Sequence, residues 1–183
     1  MTFPASTVCQ HLASPLGPII LAADATGLVG LWFDGQRHQP DTRHWPEATG
    51  HPLLDRAAAQ LTDYLAGRRE RFELPLSLAG GSPFQQSVWR ALLRIPYGQT
   101  RSYGELAADL GQARAARAVG AAVGRNPLGI IVPCHRVVGT RGALTGYAGG
   151  LDRKIALLQL EGRPIPASST PRSGIPDPKA SPP

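Results

Sequence analysis

Cysteine, methionine and lysine are all scarce in this 183-residue chain, which has two cysteines, one methionine and two lysines. Cys9 and Cys134 could pair in principle. In a chain expected to work in a reducing compartment, each thiol is instead read as free. No stretch approaches the roughly 18 consecutive apolar residues that a membrane span needs. The opening Met1-Thr2-Phe3-Pro4 lacks the basic and apolar regions of a secretory leader, so a soluble, cytoplasmic protein is expected. No internal repeat is visible, which argues against a solenoid. What remains is a chain with 42% hydrophobic residues, long enough to bury a real core in one domain or two small ones.

Acidic residues are scarce in one region only. Residues 1–81 carry six basic and eight acidic side chains, whereas residues 82–162 carry ten basic and four acidic ones. Positive charge gathered in the second half is what a phosphate-neutralising surface requires, the bland alternative being solvated surface. Seventeen of the nineteen basic residues are arginine, a bias read mainly as codon usage, although the guanidinium fork also suits phosphate.

The pattern along the chain predicts an α+β fold. Ile19 to Ala23 and Leu28 to Phe33 read as two strands joined by a tight Asp24-to-Gly27 turn, an antiparallel pair that opens the protein. Leu54, Ala58, Leu61 and Leu65 then recur at helical spacing up to Gly67. Composition breaks at Ala79-Gly80-Gly81, and Ser82-Pro83-Phe84-Gln85 combines an N-cap, a first-turn proline and a capping-box glutamine. The division therefore falls into residues 1–80, a small α+β unit, and residues 81–162, a mainly helical one. Ser102 caps a short helix ending at Gly111, and a second helix runs from about Ala113 to Gly124, together a helix-turn-helix. On the second helix Ala116, Val119, Gly120 and Val123 share one face; Arg114, Arg117, Ala118, Ala121 and Arg125 share the other. Leu128 to Val132 reads as a buried extended segment, and Asp152 as the cap of a last helix with Leu151, Ile155 and Leu158 inward. Residues 163–183 hold seven prolines without apolar periodicity and read as a disordered tail.

Chemistry concentrates in Pro133-Cys134-His135-Arg136-Val137. A free cysteine, with a pKa near ~8.5, is only slightly ionised at neutral pH, so a nucleophilic thiol needs a base or a nearby positive charge. His135 and Arg136 are the candidates. On an extended strand neighbouring side chains point to opposite sides, so His135 is expected to act on the sulfur through a water or a bend.

From Ser82 to Gly162 the chain resembles the O6-alkylguanine-DNA alkyltransferases, also called methylated-DNA–protein-cysteine methyltransferases. The likeness runs in order through Ile95-Pro96-Tyr97-Gly98, Ser102-Tyr103, Ala115 to Gly120, Arg125-Asn126-Pro127, Ile131 to Val138 and Gly146-Tyr147. It implies a ribonuclease-H-like first domain with a supporting role. Its second domain would bind double-stranded DNA through the minor groove, without sequence specificity, and move an alkyl group from O6-alkylguanine, or O4-alkylthymine, to Cys134 in a single irreversible turnover. By the same resemblance His135 is the base through a bridging water, Glu161 orients it, and Asn126 braces the active-site turn. Arg117 fills the gap left by the flipped base, and Tyr103 crowds the adjoining phosphate and protonates the departing purine. Ala118, Ala121 and Arg125 lie against DNA, and Val137, Tyr147 and Ala148 form the base pocket. No cofactor, metal or obligatory protein partner is implied. Some relatives bind zinc near the N-terminus, but Cys9 and His11 lack the further ligands a structural site wants.

A non-catalytic damage sensor of the alkyltransferase-like type would replace Cys134. A sequence-specific transcription factor would carry polar base-reading side chains where Ala118 and Ala121 stand. A cysteine hydrolase would need a separate orienting histidine and an oxyanion site.

Overall fold

Val8–Leu12 forms β1, Ile19–Asp24 forms β2 and Gly27–Phe33 forms β3, an antiparallel sheet in the order β1-β2-β3. The computed structural model describes residues 2–163, so the expected proline-rich tail lies, from residue 164, outside the described residues. The hairpin between β2 and β3 is the expected one: the Asp24 carboxylate accepts from the Thr26 amide at 2.7 Å and from its hydroxyl at 2.6 Å. Of the three strands, only β2 and β3 carry the apolar pattern expected of a strand. β1 lacks it because Gln10 and His11 interrupt an edge strand whose pairing partner, not its own composition, makes it a strand.

Strand alternation divides the side chains between two clusters. Ile19, Leu21, Leu28, Leu31 and Phe33 enter the main core, and Ile20, Ala22, Val29 and Trp32 pack with Cys9, Phe3 and Trp45 on the other side. Helix α1 (Pro52–Leu65) lays Leu54, Ala58, Leu61 and Leu65 against that core as its spacing requires, and Tyr64 joins them. Helix α2 (Pro83–Leu92) carries the full capping box of Ser82 and Gln85, and its Trp89 indole donates to the Ala122 carbonyl at 2.9 Å.

The helix-turn-helix consists of α3 (Tyr103–Asp109), capped by Ser102 with Glu105 reciprocating, and α4 (Ala116–Gly124). Helix α4 begins later than the spacing suggested, because Ala115 at its N-cap has no side chain to hold the freed amides. Its two faces are as expected: Val119 and Val123 are buried, while Arg114, Arg117, Ala118, Ala121 and Arg125 are exposed. Two residues, Arg101–Ser102 (β4), pair in parallel with Val137–Val138 (β5) and tie this motif to the Cys134 segment.

Two expectations need correction. Leu128 to Val132 is buried but turned rather than extended, with Ile130 at φ 66°, a left-handed conformation costly for a β-branched residue. Its β-branched composition reflects burial, not strand geometry. Helix α5 (Leu151–Leu160) is preceded by Gly150 rather than capped by Asp152, and Leu151 is exposed at 43% while Lys154 is fully buried. One apolar cluster runs continuously from the sheet and α1 through α2 and α4 to Ile130, Val132 and α5. No helix among the described residues is long and apolar enough to cross a membrane.

Candidate active site and nucleic-acid interface

Cys134–Arg136 forms a single 3-10 turn behind Pro133, so its three side chains fan out instead of alternating as on a strand. Asn126 closes this turn. Its Nδ2 donates to the Val132 carbonyl at 2.7 Å and to Cys134 Sγ at 3.1 Å, while its Oδ1 accepts from the Leu128 amide at 3.0 Å. An asparagine before proline thus uses every polar atom to fix the thiol relative to the strained segment behind it. Burial pushes the Cys134 thiol up, against the Asn126 hydrogen bond and the Lys154 charge that favour thiolate. At neutral pH the sulfur is therefore protonated.

Next to it, His135 is wholly buried and its Nε2 lies 2.8 Å from Glu161 Oε1. Nδ1 has no protein partner and remains the ring's open acceptor. Burial pushes the imidazole below its ordinary value, more strongly than Glu161 raises it, so His135 is neutral at neutral pH. Burial also opposes ionisation of Glu161, but the hydrogen bonds and charges of His135 and Arg136 hold its carboxyl down at about 2. Arg136 Nε and Nη2 donate to Glu161 Oε1 at 3.1 and 2.9 Å, and Arg136 Nη1 donates to the Ile95 carbonyl at 2.6 Å. Glu161 Oε2 accepts from the Gly98 amide at 3.0 Å. Gly98 sits at φ 70°, and a Cβ there would stand 3.0 Å from the Glu161 carbonyl, so the turn after Tyr97 needs glycine. Arg136, read from sequence as a candidate to polarise the thiol, instead serves the carboxylate.

A cavity of about 360 Å³ opens over the sulfur. Cys134, Tyr103, Gly120, Ala121, Arg125 and Tyr147 are among its walls, together with Ala148 and, from the loop after β3, Arg37 and His38. The Arg37 amide donates to the Ala148 carbonyl at 3.1 Å, which seats that loop on the cavity rim. Arg117 and Ala118 are exposed on α4 outside the lining. Val137, expected in the pocket, is fully buried and absent from the wall, and its carbonyl accepts from Lys154 Nζ at 2.6 Å. Lys154 Nζ also donates to the Thr145 carbonyl at 2.8 Å, bracing the loop before α5 against β5; burial pushes its ammonium down to about 8. Burial likewise raises the Tyr103 phenol, leaving a neutral hydroxyl.

The structure thus brings Cys134, Asn126, His135 and Glu161 together, and sets Tyr103, Ala121, Arg125, Tyr147 and Ala148 around one cavity. Sequence reasoning missed Lys154, to which it gave no role, and Tyr64, whose only signal was its place in the apolar stripe of α1. It also missed Arg37 and His38, which stand in an unpatterned loop.

Fold and site together define a class: a mixed α+β protein in which a helix-turn-helix adjoins a cavity floored by a hydrogen-bonded cysteine. Two family models match the chain, the ribonuclease-like domain of 6-O-methylguanine DNA methyltransferase over residues 7–78 and its DNA-binding domain over residues 83–163. A methylated-DNA–protein-cysteine methyltransferase of Mycobacterium tuberculosis is 50% identical over 161 residues, 88% of this chain and 96% of that protein. The constitutive enzyme of that name from Bacillus subtilis is 48% identical over 152 residues, 81% of this chain and 91% of its own length. Among solved structures, M. tuberculosis OGT in complex with DNA aligns with a TM-score of 0.77 at 49% identity, covering 84% of this chain and 91% of that one. The chain belongs to the 6-O-methylguanine DNA methyltransferase family.

Proposed function

We propose that this protein repairs DNA by direct reversal, transferring a methyl or other alkyl group from O6-alkylguanine, and from O4-alkylthymine, to Cys134 in one irreversible turnover. The observation that carries the reading is the thiol itself: Cys134 floors a cavity beside the small-residue face of α4, hydrogen-bonded by Asn126 and next to an imidazole paired with a carboxylate. A sensor of the alkyltransferase-like type would lack that sulfur.

The step balances without a cofactor. His135 Nδ1 accepts the thiol proton through one bridging water, and the sulfur attacks the alkyl carbon. A carbon–sulfur bond forms, the carbon–O6 bond breaks, and its electron pair leaves with the purine, which Tyr103 protonates. Glu161 stabilises the imidazolium, and Asn126 holds the sulfur in line. The thioether product has no polarised carbonyl for water to attack, so each molecule acts once.

Access to the alkyl carbon requires the nucleotide to leave the base stack. Arg117 occupies the vacated position, Ala118 and Ala121 let α4 lie close in the minor groove, and Arg125 adds a phosphate contact. Tyr147 and Ala148 wall the base, with Val137 behind them. Methyl groups offer no fork for reading base edges, so affinity is independent of sequence. In this account residues 1–80 support residues 81–162, no protein partner is obligatory, and the protein works in the cytoplasm.

The test separates binding from chemistry with duplex DNA containing one O6-methylguanine. Cys134→Ala is expected to bind as the parent does and transfer nothing. Arg117→Ala is expected to bind more weakly and to repair single-stranded substrate better, relative to duplex, than the parent does. Transfer by Cys134→Ala would refute the assignment.

A further inference from the structure

The N-terminal unit reaches into the charge network of the reactive turn through one side chain. Tyr64, near the end of α1, is fully buried, and its hydroxyl donates to Glu161 Oε1, the same oxygen that receives His135 Nε2 and Arg136. The hydroxyl oxygen also stands 3.4 Å from His135 Nε2. The ring is fixed from two sides, tilted on Phe72 at 5.1 Å and edge-on to Tyr97 at 6.1 Å. Tyr97 in turn donates to the Leu160 carbonyl at 3.0 Å, one residue before Glu161. A hydrophobic stripe on α1 needs no hydroxyl at this place, and a phenylalanine would pack as well.

We propose that Tyr64 is a positioning residue for alkyl transfer: its hydroxyl holds the Glu161 carboxylate toward His135 and keeps the imidazole proton on Nε2, leaving Nδ1 to receive the proton from Cys134. The inference rests on the reading of Cys134 as acceptor and adds that the first domain contributes to the chemistry, not only to support. Glu161 Oε1 is contested. Arg136 already forks the carboxylate, Nη2 to Oε1 at 2.9 Å and Nε to Oε2 at 3.1 Å, and the Tyr64 hydroxyl adds the donor that keeps Oε1 on the side of the imidazole. It is not placed to act as an acid instead, because its hydroxyl is committed to Glu161 and does not reach the cavity wall.

The groups facing His135 are Glu161 at the C-terminal cap of α5 and Lys154 in its first turn, Tyr64 from α1, and Cys134 and Arg136 from its own turn. Removing the hydroxyl frees the Glu161 carboxylate to turn from the imidazole, so His135 loses part of the field that favours its charged form and its pKa falls further. The ring then stays neutral to lower pH, but its proton is no longer held on Nε2 and the imidazolium formed in the step is less stabilised. The loss of rate is therefore least on the acid side and grows as pH rises.

The experiment measures single-turnover transfer from duplex O6-methylguanine DNA between pH 5.5 and 9 for the full chain and for Tyr64→Phe. The expected result is a rate reduced about tenfold near pH 8, an acid limb moved to lower pH, and DNA affinity within about twofold of the parent. A profile of unchanged shape, whether or not the rate falls, overturns the proposal, since a merely structural tyrosine would lower the rate evenly. In the parent, 15N resonances of His135 are expected to report a neutral ring protonated at Nε2 at pH 7. A proton on Nδ1 overturns it without any variant. If the parent itself moves no methyl group, the reading of Cys134 fails; if it does and Tyr64→Phe matches it throughout, only the role of Tyr64 fails.

Discussion

Glu161 carries more of the site than its position near the end of a helix announces. Its carboxylate meets the buried His135, Arg136 and Tyr64 and the half-buried Gly98 amide. Glu161→Gln leaves Arg136 buried without its counter-charge, and it should cost about 3–5 kcal/mol of stability by chemical denaturation as well as abolishing rapid transfer. The pH dependence of stability follows from the same pair. Glu161, held down at about 2, contributes stability that is complete above the carboxylate's unfolded value near ~4.3 and is lost as pH falls towards about 2. His135, pushed below its ordinary value by burial, binds a proton more readily when unfolded, so stability should already decline as pH drops through about 6.5. Denaturation midpoints measured from pH 8 to pH 3 should show both phases, and His135→Gln should remove the first. The reactive cysteine, its histidine and Asn126 were legible because they sit in one compact motif. Tyr64 and Lys154 were not, since a tyrosine in an apolar stripe and a lysine in an amphipathic helix look the same whether or not a distant carboxylate or carbonyl claims their polar ends.

Helix α4 lies between the proposed DNA surface and the thiol: its buried face packs on α2 and α3, and its exposed face carries Arg117, Ala118 and Ala121. Its orientation depends on α3, whose start is fixed by Ser102 accepting from Glu105 at 3.1 Å and Glu105 accepting from Ser102 at 2.7 Å. Ser102→Ala should cost about 1 kcal/mol and raise the Kd for DNA, measurable by thermal melting and fluorescence anisotropy. Ala121→Glu should abolish DNA binding while leaving the melting temperature near the parent value, because it adds bulk and negative charge to an exposed face. Capping signals and periodicity made these helices readable. The Leu128–Val132 segment was misread because burial selects the same β-branched residues in a turn as in a strand, and only the Asn126 side chain and the left-handed Ile130 reveal the difference. Strand β1 was missed for the opposite reason: its partner strand supplies what its composition does not.

The molecule as a whole is asymmetric in charge and continuous in packing. With the excess of basic residues confined to positions 82–183, DNA affinity should fall steeply with salt. Arg117→Ala, which removes one cation at the groove, should reduce the slope of log K against log salt by about 1. The sheet and the reactive turn share one core: Leu31 of β3 bridges Leu128, Arg153 lies 4.4 Å over the Phe33 ring, and Tyr64 reaches Glu161. One apolar cluster runs across the break at Gly80-Gly81, and calorimetry should give one cooperative unfolding transition rather than two. The central claim remains the fate of one sulfur. Peptide mass spectrometry after reaction with an equimolar duplex carrying a single O6-methylguanine should find one added methyl group, on the peptide containing Cys134 and not on that containing Cys9. A guanine restored with no methyl on Cys134, or a second round of repair by the same molecule, would contradict the account.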